Sequence, residues 1–282
     1  MKVCRRLLFV SVFLILGLVF AKNSPAFERV LRLSDGRIID AKQMIEDMKR
    51  STVIFVGEIH DNLQHHKAQL FIIRALNELH IPTAIGLEMF RATSQKELDQ
   101  WIDGTMTRGD FVQVYSDNWG MPWPWYMNIL QYARFSDIPL IGLNVSGEIT
   151  EKVSKNGMES LSKDDLKQLP PAMTFEDDEK SLAHMRKVYD AHKKNDATFQ
   201  NFYKAQQVWH KTMAYHLMNY LKKNPNRTVV VLAGIDHAGK RGIPEQIRRQ
   251  ARYRYTVILP EVPGRIERNS ATIEDADYLV LE

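Results

Sequence analysis

Short apolar runs alternate with segments of helical periodicity along most of this chain. Six runs rich in β-branched and other apolar residues predict buried strands, over residues 53–56, 83–87, 139–143, 228–232, 255–259 and 277–281. After the first run, apolar residues recur at positions 68, 71, 72, 75, 76 and 79, which is the spacing of one helix face. Continuous apolar strands separated by helices predict an α/β fold, with a mostly parallel sheet flanked by helices.

Two parts of the chain depart from this alternation. Near the start, two short apolar stretches surround Ser34-Asp35-Gly36, and Asp-Gly in that setting predicts a hairpin. Residues 147–226 contain no convincing strand, and the apolar positions from Phe199 onward recur in steps of three and four. We therefore predict a single α/β domain over 27–282, with a helical insertion subdomain over about 147–226.

The first residues of the chain indicate where the protein works. Three basic residues stand among the first six, and residues 7–21 form an apolar run without charge. This is the pattern of a secretory signal peptide, and the run is shorter than the roughly twenty residues of a membrane span. We expect residues 1–26 to be a signal peptide cleaved after Ala21 or Ala26, which places the mature protein in the periplasm or cell envelope. Retention of the segment as an uncleaved anchor is the alternative.

Composition then excludes several classes of function. The one cysteine, Cys4, precedes the apolar run and leaves with the signal, so the mature chain has no disulfide, zinc-thiolate site or cysteine nucleophile. Cleavage after Ala21 removes three basic residues and no acidic one, so the formal net charge of +4 falls to +1. The pI of about 9.0 therefore overstates how basic the working protein is, and nucleic acid is not an expected partner.

Polar side chains interrupt the apolar pattern where the predicted strands end. These side chains are Glu58, His60, Glu88, Asn144 and His237. Ligands of open parallel sheets bind outside the carboxyl ends of the strands, so we expect the five to meet in one crevice. A histidine oriented by a carboxylate can take a proton from water, with Asn144 in support. Two histidines and two carboxylates, Glu58, His60, Glu88 and His237, can instead hold a divalent metal.

The same positions carry a family resemblance. In order along the chain, the matching segments are Val56-Gly57-Glu58-Ile59-His60-Asp61-Asn62 with His66, Gly86-Leu87-Glu88-Met89-Phe90, Ala133-Arg134, Pro139-Leu140-Ile141-Gly142-Leu143-Asn144, Gln207 to Met213-Ala214, Ala233-Gly234 to His237, and Gly242-Ile243-Pro244. Together they resemble the ChaN-type haem-binding family of exported bacterial proteins. The wider superfamily is similar to erythromycin esterases and Tiki-type metalloproteases.

The resemblance implies an α/β fold with a helical subdomain and haem held between two subunits. It further implies a tyrosine on the iron and a histidine near the propionates. The candidate haem ligands are Tyr189 and Tyr126, and the candidate neighbouring histidines are His184, His192 and His66. Haem is then the cofactor, a second copy of the chain a partner, and envelope haem-transport components further partners.

Two functions compete at this point. The first is a non-enzymatic haem or iron-porphyrin binder that serves haem or iron uptake. The second is a hydrolase, esterase-like or metalloprotease-like, that uses the Glu and His side chains at the strand ends. We expect the two to use different surfaces, because haem is too wide for a strand-end crevice and needs the helical insertion. The sequence alone leaves open whether the protein is an enzyme.

Overall fold

A computed structural model describes residues 27, 29–171, 173–175, 179–191 and 198–281, and the predicted signal peptide lies outside them. The strands are β1 (Val30–Arg32), β2 (Arg37–Ile39), β3 (Val53–Glu58), β4 (Thr83–Arg91), β5 (Leu140–Asn144), β6 (Thr228–Gly234), β7 (Tyr255–Pro260) and β8 (Tyr278–Val280). The helices are α1 (Ala41–Met48), α2 (Leu63–Glu78), α3 (Gln95–Ile102), α4 (Arg108–Asn118), α5 (Trp123–Phe135), α6 (Gly147–Asn156), α7 (Lys163–Lys167), α8 (Glu179–Ala191), α9 (Phe199–Lys223), α10 (Ile235–Ala238) and α11 (Ile243–Gln250).

In the described part of the chain the strands form one sheet, in the order β2-β1-β8-β7-β3-β6-β4-β5. The pairs from β8 to β5 are all parallel, and only the β1–β2 hairpin runs antiparallel, against itself and against β8. The predicted α/β class with a mostly parallel sheet is therefore confirmed. The predicted hairpin is also present, and Gly36 takes a φ of +71° in its turn, a conformation that glycine adopts without strain.

Both faces of the sheet are covered, which explains why the strands read as continuous apolar runs. On one face, α1, α2 and α5 pack Met44, Ile72 and Leu130 against the strands. On the other face, α9 and α11 bury Leu217 and Ile247. The carboxyl ends of the parallel strands remain accessible between these layers.

Helices α6 to α9 occupy the connection between β5 and β6. Helix α9 begins at its cap Thr198, whose side chain accepts from the backbone N–H of Asn201. It packs against α6 through a small cluster that includes Ile149 and Val208. No helix among the described residues has both the length and the apolar character needed to cross a membrane.

Candidate functional site

The predicted crevice residues lie together at the carboxyl ends of adjacent strands. Glu58 ends β3, Glu88 lies in β4, Asn144 ends β5 and His237 lies in α10, directly after β6. Strand β6 stands between β3 and β4 in the sheet, so its end lies between the two carboxylates. The structure thus brings the strand-end side chains into one crevice.

Glu58 is the most enclosed acid of the crevice, with 1% of its surface exposed. Its Oε1 accepts from His60 Nδ1 at 2.8 Å and from the hydroxyl of Tyr126, and its Oε2 accepts from Gln69 Nε2 at 2.8 Å. His66 Nε2 lies 3.4 Å from Oε2. Burial alone raises the pKa of this carboxyl, but the hydrogen bond from His60 and the proximity of His66 outweigh it and hold the pKa well below its ordinary value.

His60 is the member of this network that reaches the open crevice, with 31% of its side chain exposed. Burial lowers its pKa, but the hydrogen bond to Glu58 and the charge of Glu88 outweigh burial, so the pKa is raised above 6.5. The edge of its ring contacts Trp119 at 5.0 Å between centroids. A Cβ at Gly234 would lie 3.0 Å from its Cε1 atom, so glycine at the end of β6 makes room for the imidazole.

Glu88 belongs to a second chain of polar groups. The register between β4 and β5 shifts between Leu87 and Arg91, an irregularity that re-aims the side chains within it. Glu88 Oε2 accepts from the backbone N–H of Gly234 at 2.6 Å, and its Oε1 lies 3.4 Å from His237 Nε2. Asn144 supports this arrangement by donating to the backbone carbonyl of Glu88 at 2.8 Å.

A third imidazole, that of His210, contacts His237 at the ring nitrogen that does not face Glu88. His237 Nδ1 lies 2.9 Å from Nε2 of His210, which is 3% exposed on α9. One ring nitrogen of His237 thus faces Glu88 and the other faces His210. The crevice therefore contains two orientated imidazoles, His60 on Glu58 and His237 between Glu88 and His210.

A cavity of about 430 Å³ opens directly above these groups. Its lining includes Glu58, His60 and His237 from the strand ends, together with Tyr189 from α8 and Phe202 from α9. Tyr189 packs against Phe202 with 5.4 Å between ring centroids. Helices α8 and α9 of the helical insertion thus line one cavity together with the strand ends, although the sequence analysis expected haem and the crevice to use different surfaces.

The other candidate haem residues lie elsewhere. Tyr126 is 1% exposed and gives its hydroxyl to Glu58, and burial together with the charge of Glu58 raises its pKa. His66 is 4% exposed and packs on Tyr126 beneath the crevice. Neither position reaches the cavity. His184 belongs to α8, but its side chain and all of His192 lie outside the described residues.

The match to known proteins identifies the chain's relatives. The profile of the family described as haem-binding uptake, Tiki superfamily, ChaN matches residues 44–247, well over half of the sequence. This chain belongs to that family. The ChaN-family segment begins within α1 and ends within α11, and so includes every crevice residue described above.

Solved structures agree with this assignment at the level of the fold. A structure describing cofacial haem binding to ChaN of Campylobacter jejuni superimposes with a TM-score of 0.71 at 22% identity, covering 89% of this chain and 95% of that one. An erythromycin esterase in its open conformation superimposes with a TM-score of 0.51 at 14% identity, covering 85% and 80% of the two chains.

A curated plant protein is a partial relative of this ChaN-family chain. Protein RETICULATA-RELATED 5, chloroplastic, of Arabidopsis thaliana is 26% identical over 141 residues. The match takes in 47% of this chain and 19% of the plant protein, so the chain spans about a fifth of that relative's length.

The crevice was also predicted as a possible site for a divalent metal. Within the described ranges, no group of three or more His, Cys, Asp or Glu side chains is arranged to hold a metal ion. The two carboxylates are instead engaged in hydrogen bonds. Glu58 accepts from His60, Tyr126 and Gln69, and Glu88 accepts from the Gly234 backbone.

Three contacts in the ChaN-family crevice were not predicted from the sequence. Gln69 and Tyr126 reach Glu58 from helices, and Tyr126 was predicted only as a candidate haem ligand. The role of His210 could have been inferred from the sequence, because it shares a helix face with Ala214, Leu217 and Leu221, all of which are buried. A histidine on such a face must find a polar partner, and the strand-end histidine provides one.

Proposed function

We propose that this chain is an exported haem-binding protein that serves haem or iron uptake. The observation that carries the proposal is the cavity of about 430 Å³ with Tyr189 on its wall, in a chain of the ChaN family. The described binding of haem to ChaN of Campylobacter jejuni, a protein of the same fold, supports the same ligand here.

Tyr189 is the residue we assign to the iron. A phenolate is an anionic oxygen ligand, and tyrosine serves as an axial haem ligand in other proteins. The aromatic side chains of Phe199 and Phe202 pack against Tyr189 at 5.6 and 5.4 Å, so its ring has apolar neighbours of the kind that suit a porphyrin face. The phenol proton leaves when the oxygen binds iron, so haem affinity should rise with pH.

The test is a titration of the mature protein with haemin, followed by its visible spectrum. Tyr189→Phe keeps the ring and removes the oxygen, so we expect the iron–phenolate absorption to disappear. Tyr215→Phe is the matched control, because Tyr215 is a helical tyrosine outside the lining of the cavity. If the wild type gives no saturable spectral change at micromolar protein, the haem proposal is wrong.

Export is tested separately. The basic start and uncharged run predict processing after Ala21 or Ala26, so sequencing the protein from an envelope fraction should give Lys22 or Phe27 first. Intact Met1 on protein recovered from the cytoplasm would contradict the export proposal.

One observation favours hydrolysis as a second candidate. Glu58 accepts the Nδ1 proton of His60, which leaves Nε2 of the neutral imidazole as a base beside the cavity. Such a base can take a proton from water as the water attacks an ester carbonyl. Its pKa is raised, so the rate should increase with pH through a value above 6.5 as His60 loses its extra proton.

An activated ester such as p-nitrophenyl acetate tests the second candidate. His60→Asn should abolish turnover, whereas Tyr189→Phe should leave it intact. Equal rates for wild type and His60→Asn at every pH would rule the hydrolase out.

A further inference from the structure

A cavity of about 510 Å³ lies apart from the one that contains Tyr189, and the two have no lining residue in common. It is formed where helix α2 meets the carboxyl ends of β3, β7 and β8. Most of its lining is apolar and comprises Phe27, Val56, Ala68, Ile258, Leu259, Pro260, Val280 and Leu281. Ligand pockets in proteins enclose roughly 300–1,000 Å³, so this cavity is large enough for a small apolar ligand.

The walls of this cavity are held by the fold. Phe27 and Val56 belong to the buried cluster between α2 and the sheet. The ring of Phe27 packs edge-on against Phe71 of α2, with 5.4 Å between centroids. On the α2 side, Nδ1 of His65 accepts from the backbone N–H of Ile59 at 2.9 Å. A ligand therefore meets walls that are already ordered, which lowers the entropic cost of binding.

The polar part of the lining offers positive charge. Its polar side chains are Arg29, Gln64 and His65, and no aspartate or glutamate lines the cavity among the residues that the structure describes. Arg29 is exposed, and it forms no ion pair with any other described residue. The acid whose charge interacts with Arg29 is Glu261, and the carboxylate of Glu261 accepts from the backbone and side chain of Arg268. The guanidinium of Arg29 thus has donors for a ligand.

We propose that this cavity binds a linear fatty carboxylate, with its alkyl chain among the apolar side chains and its carboxylate on Arg29. The planar fork of a guanidinium matches a carboxylate, which favours this head group. An uncharged alkane would leave Arg29 without a ligand contact, and a ligand charged along its length would bring unpaired charge against apolar walls, which is costly. The site is independent of the proposed haem function, because it lies in a different cavity.

The experiment is calorimetric titration of the haem-free mature protein with octanoate, decanoate and 1-decanol. Each buried methylene should tighten binding about fourfold, so decanoate should bind about fifteenfold more tightly than octanoate. Arg29→Gln should weaken decanoate about tenfold, because a charge-assisted hydrogen bond is lost, and should leave 1-decanol unchanged. Arg37→Gln is the matched control, because Arg37 is an exposed arginine of β2 outside the cavity lining.

A second pair of variants locates the alkyl chain. Ala68→Leu places a larger side chain on the cavity wall and should abolish binding of both decanoate and 1-decanol. Tyr189→Phe should bind decanoate as the wild type does, since Tyr189 lines the other cavity. Circular dichroism of each variant confirms that the comparison concerns folded protein.

Three results would overturn the fatty carboxylate site, and none of them bears on haem binding. The first is a wild type that gives no saturable heat with decanoate, or one that binds it no better than Arg29→Gln. The second is loss of decanoate binding in Tyr189→Phe, which would place the ligand in the other cavity. The third is binding to protein that begins at Phe27 but not to protein that begins at Lys22, because residues 22–26 would then be the occupant.

Discussion

Glu58 shows how a buried charge is made tolerable in this protein. A carboxylate removed from water is costly unless its oxygens are hydrogen-bonded, and here His60, Gln69 and Tyr126 all donate to it. The pairing with His60 could be predicted, because two residues at a strand end share one side of an extended chain. The donor Tyr126 could not, because it stands 68 positions away on a helix whose placement depends on tertiary packing.

Replacing Glu58 by Gln should therefore destabilise the protein by about 3 kcal/mol at neutral pH, because the donors lose their charged acceptor. The effect depends on pH with a definite sign. The folded pKa lies below the ordinary 4.5, so the wild type loses this stabilisation as the pH falls below about 4.5. Urea unfolding across the acid range should show a shallower decline for the variant.

The control for that measurement is Glu46→Gln, since the side chain of Glu46 is 47% exposed in a surface pair with Lys49. It should leave the free energy of unfolding nearly unchanged. Parallel acid profiles for the wild type and Glu58→Gln would show that Glu58 is not held ionised by the fold.

Tyr126 gives a second prediction at the scale of one atom. Tyr126→Phe removes one donor to Glu58 and leaves a buried acceptor less satisfied, so it should cost about 1–3 kcal/mol of unfolding free energy. The haemin spectrum should stay unchanged, because this ring does not line the cavity. Loss of the iron–phenolate absorption in Tyr126→Phe, with Tyr189→Phe unaffected, would reverse our assignment of the iron ligand.

Among the elements, the position of each strand along the chain was the easiest feature to predict. Which strands lie next to each other in the sheet was the hardest. Each parallel strand is buried on both faces, so its sequence is apolar throughout and easily recognised. The order of strands could not be predicted in this way, because β3 lies between β6 and β7, which come from the far end of the chain.

Helix α9 shows an intermediate case. Steps of three and four from Phe199 place Trp209 on the predicted face, whereas its neighbour His210 is the residue that contacts His237. The helix is buried around more of its circumference than one stripe.

The contact between β4 and β5 gives a prediction for a whole element. A Cβ at Gly142 would lie 2.4 Å from the backbone oxygen of Arg91, and backbone cannot move aside without separating the strands. Gly142→Ala should therefore destabilise the protein by about 3 kcal/mol and disturb the register shift that contains Glu88. Gly147→Ala, at the start of α6, meets no heavy atom within 4 Å and is the control. Equal melting temperatures for the two variants would contradict the prediction.

At the scale of the molecule, one cavity is lined by residues that the sequence alone assigned to two separate surfaces. Tyr189 and His60 line the same space, so a porphyrin bound at Tyr189, as we propose, would cover the imidazole that would act as a base. The sequence located the strand ends correctly, but how the helices between β5 and β6 fold over them is set by long-range packing. A site formed from both could be seen only in the folded chain.

Haem binding should also change the size of the assembly. A porphyrin has two broad apolar faces, and one open cavity covers one of them well, so a second copy of the chain related by a two-fold axis can cover the other. We expect haemin to shift the mature protein from monomer toward dimer, measured by light scattering during size-exclusion chromatography. Tyr189→Phe should reduce the shift and Tyr215→Phe should not. A protein that binds haemin tightly yet stays monomeric would disprove haem-mediated pairing.

The order of strands in the sheet also determines when the protein can fold. β3 is the first of the parallel strands to leave the ribosome, yet both of its partners, β6 and β7, are among the last. The β1–β2 hairpin joins the sheet later still, because its partner strand β8 ends at Val280. Pairing between such distant segments is slow and begins only after nearly the whole chain has been made. The pairings of β3, unlike the local β4–β5 pairing, therefore form late, and the export that we propose would act on a chain whose central strand is still unpaired.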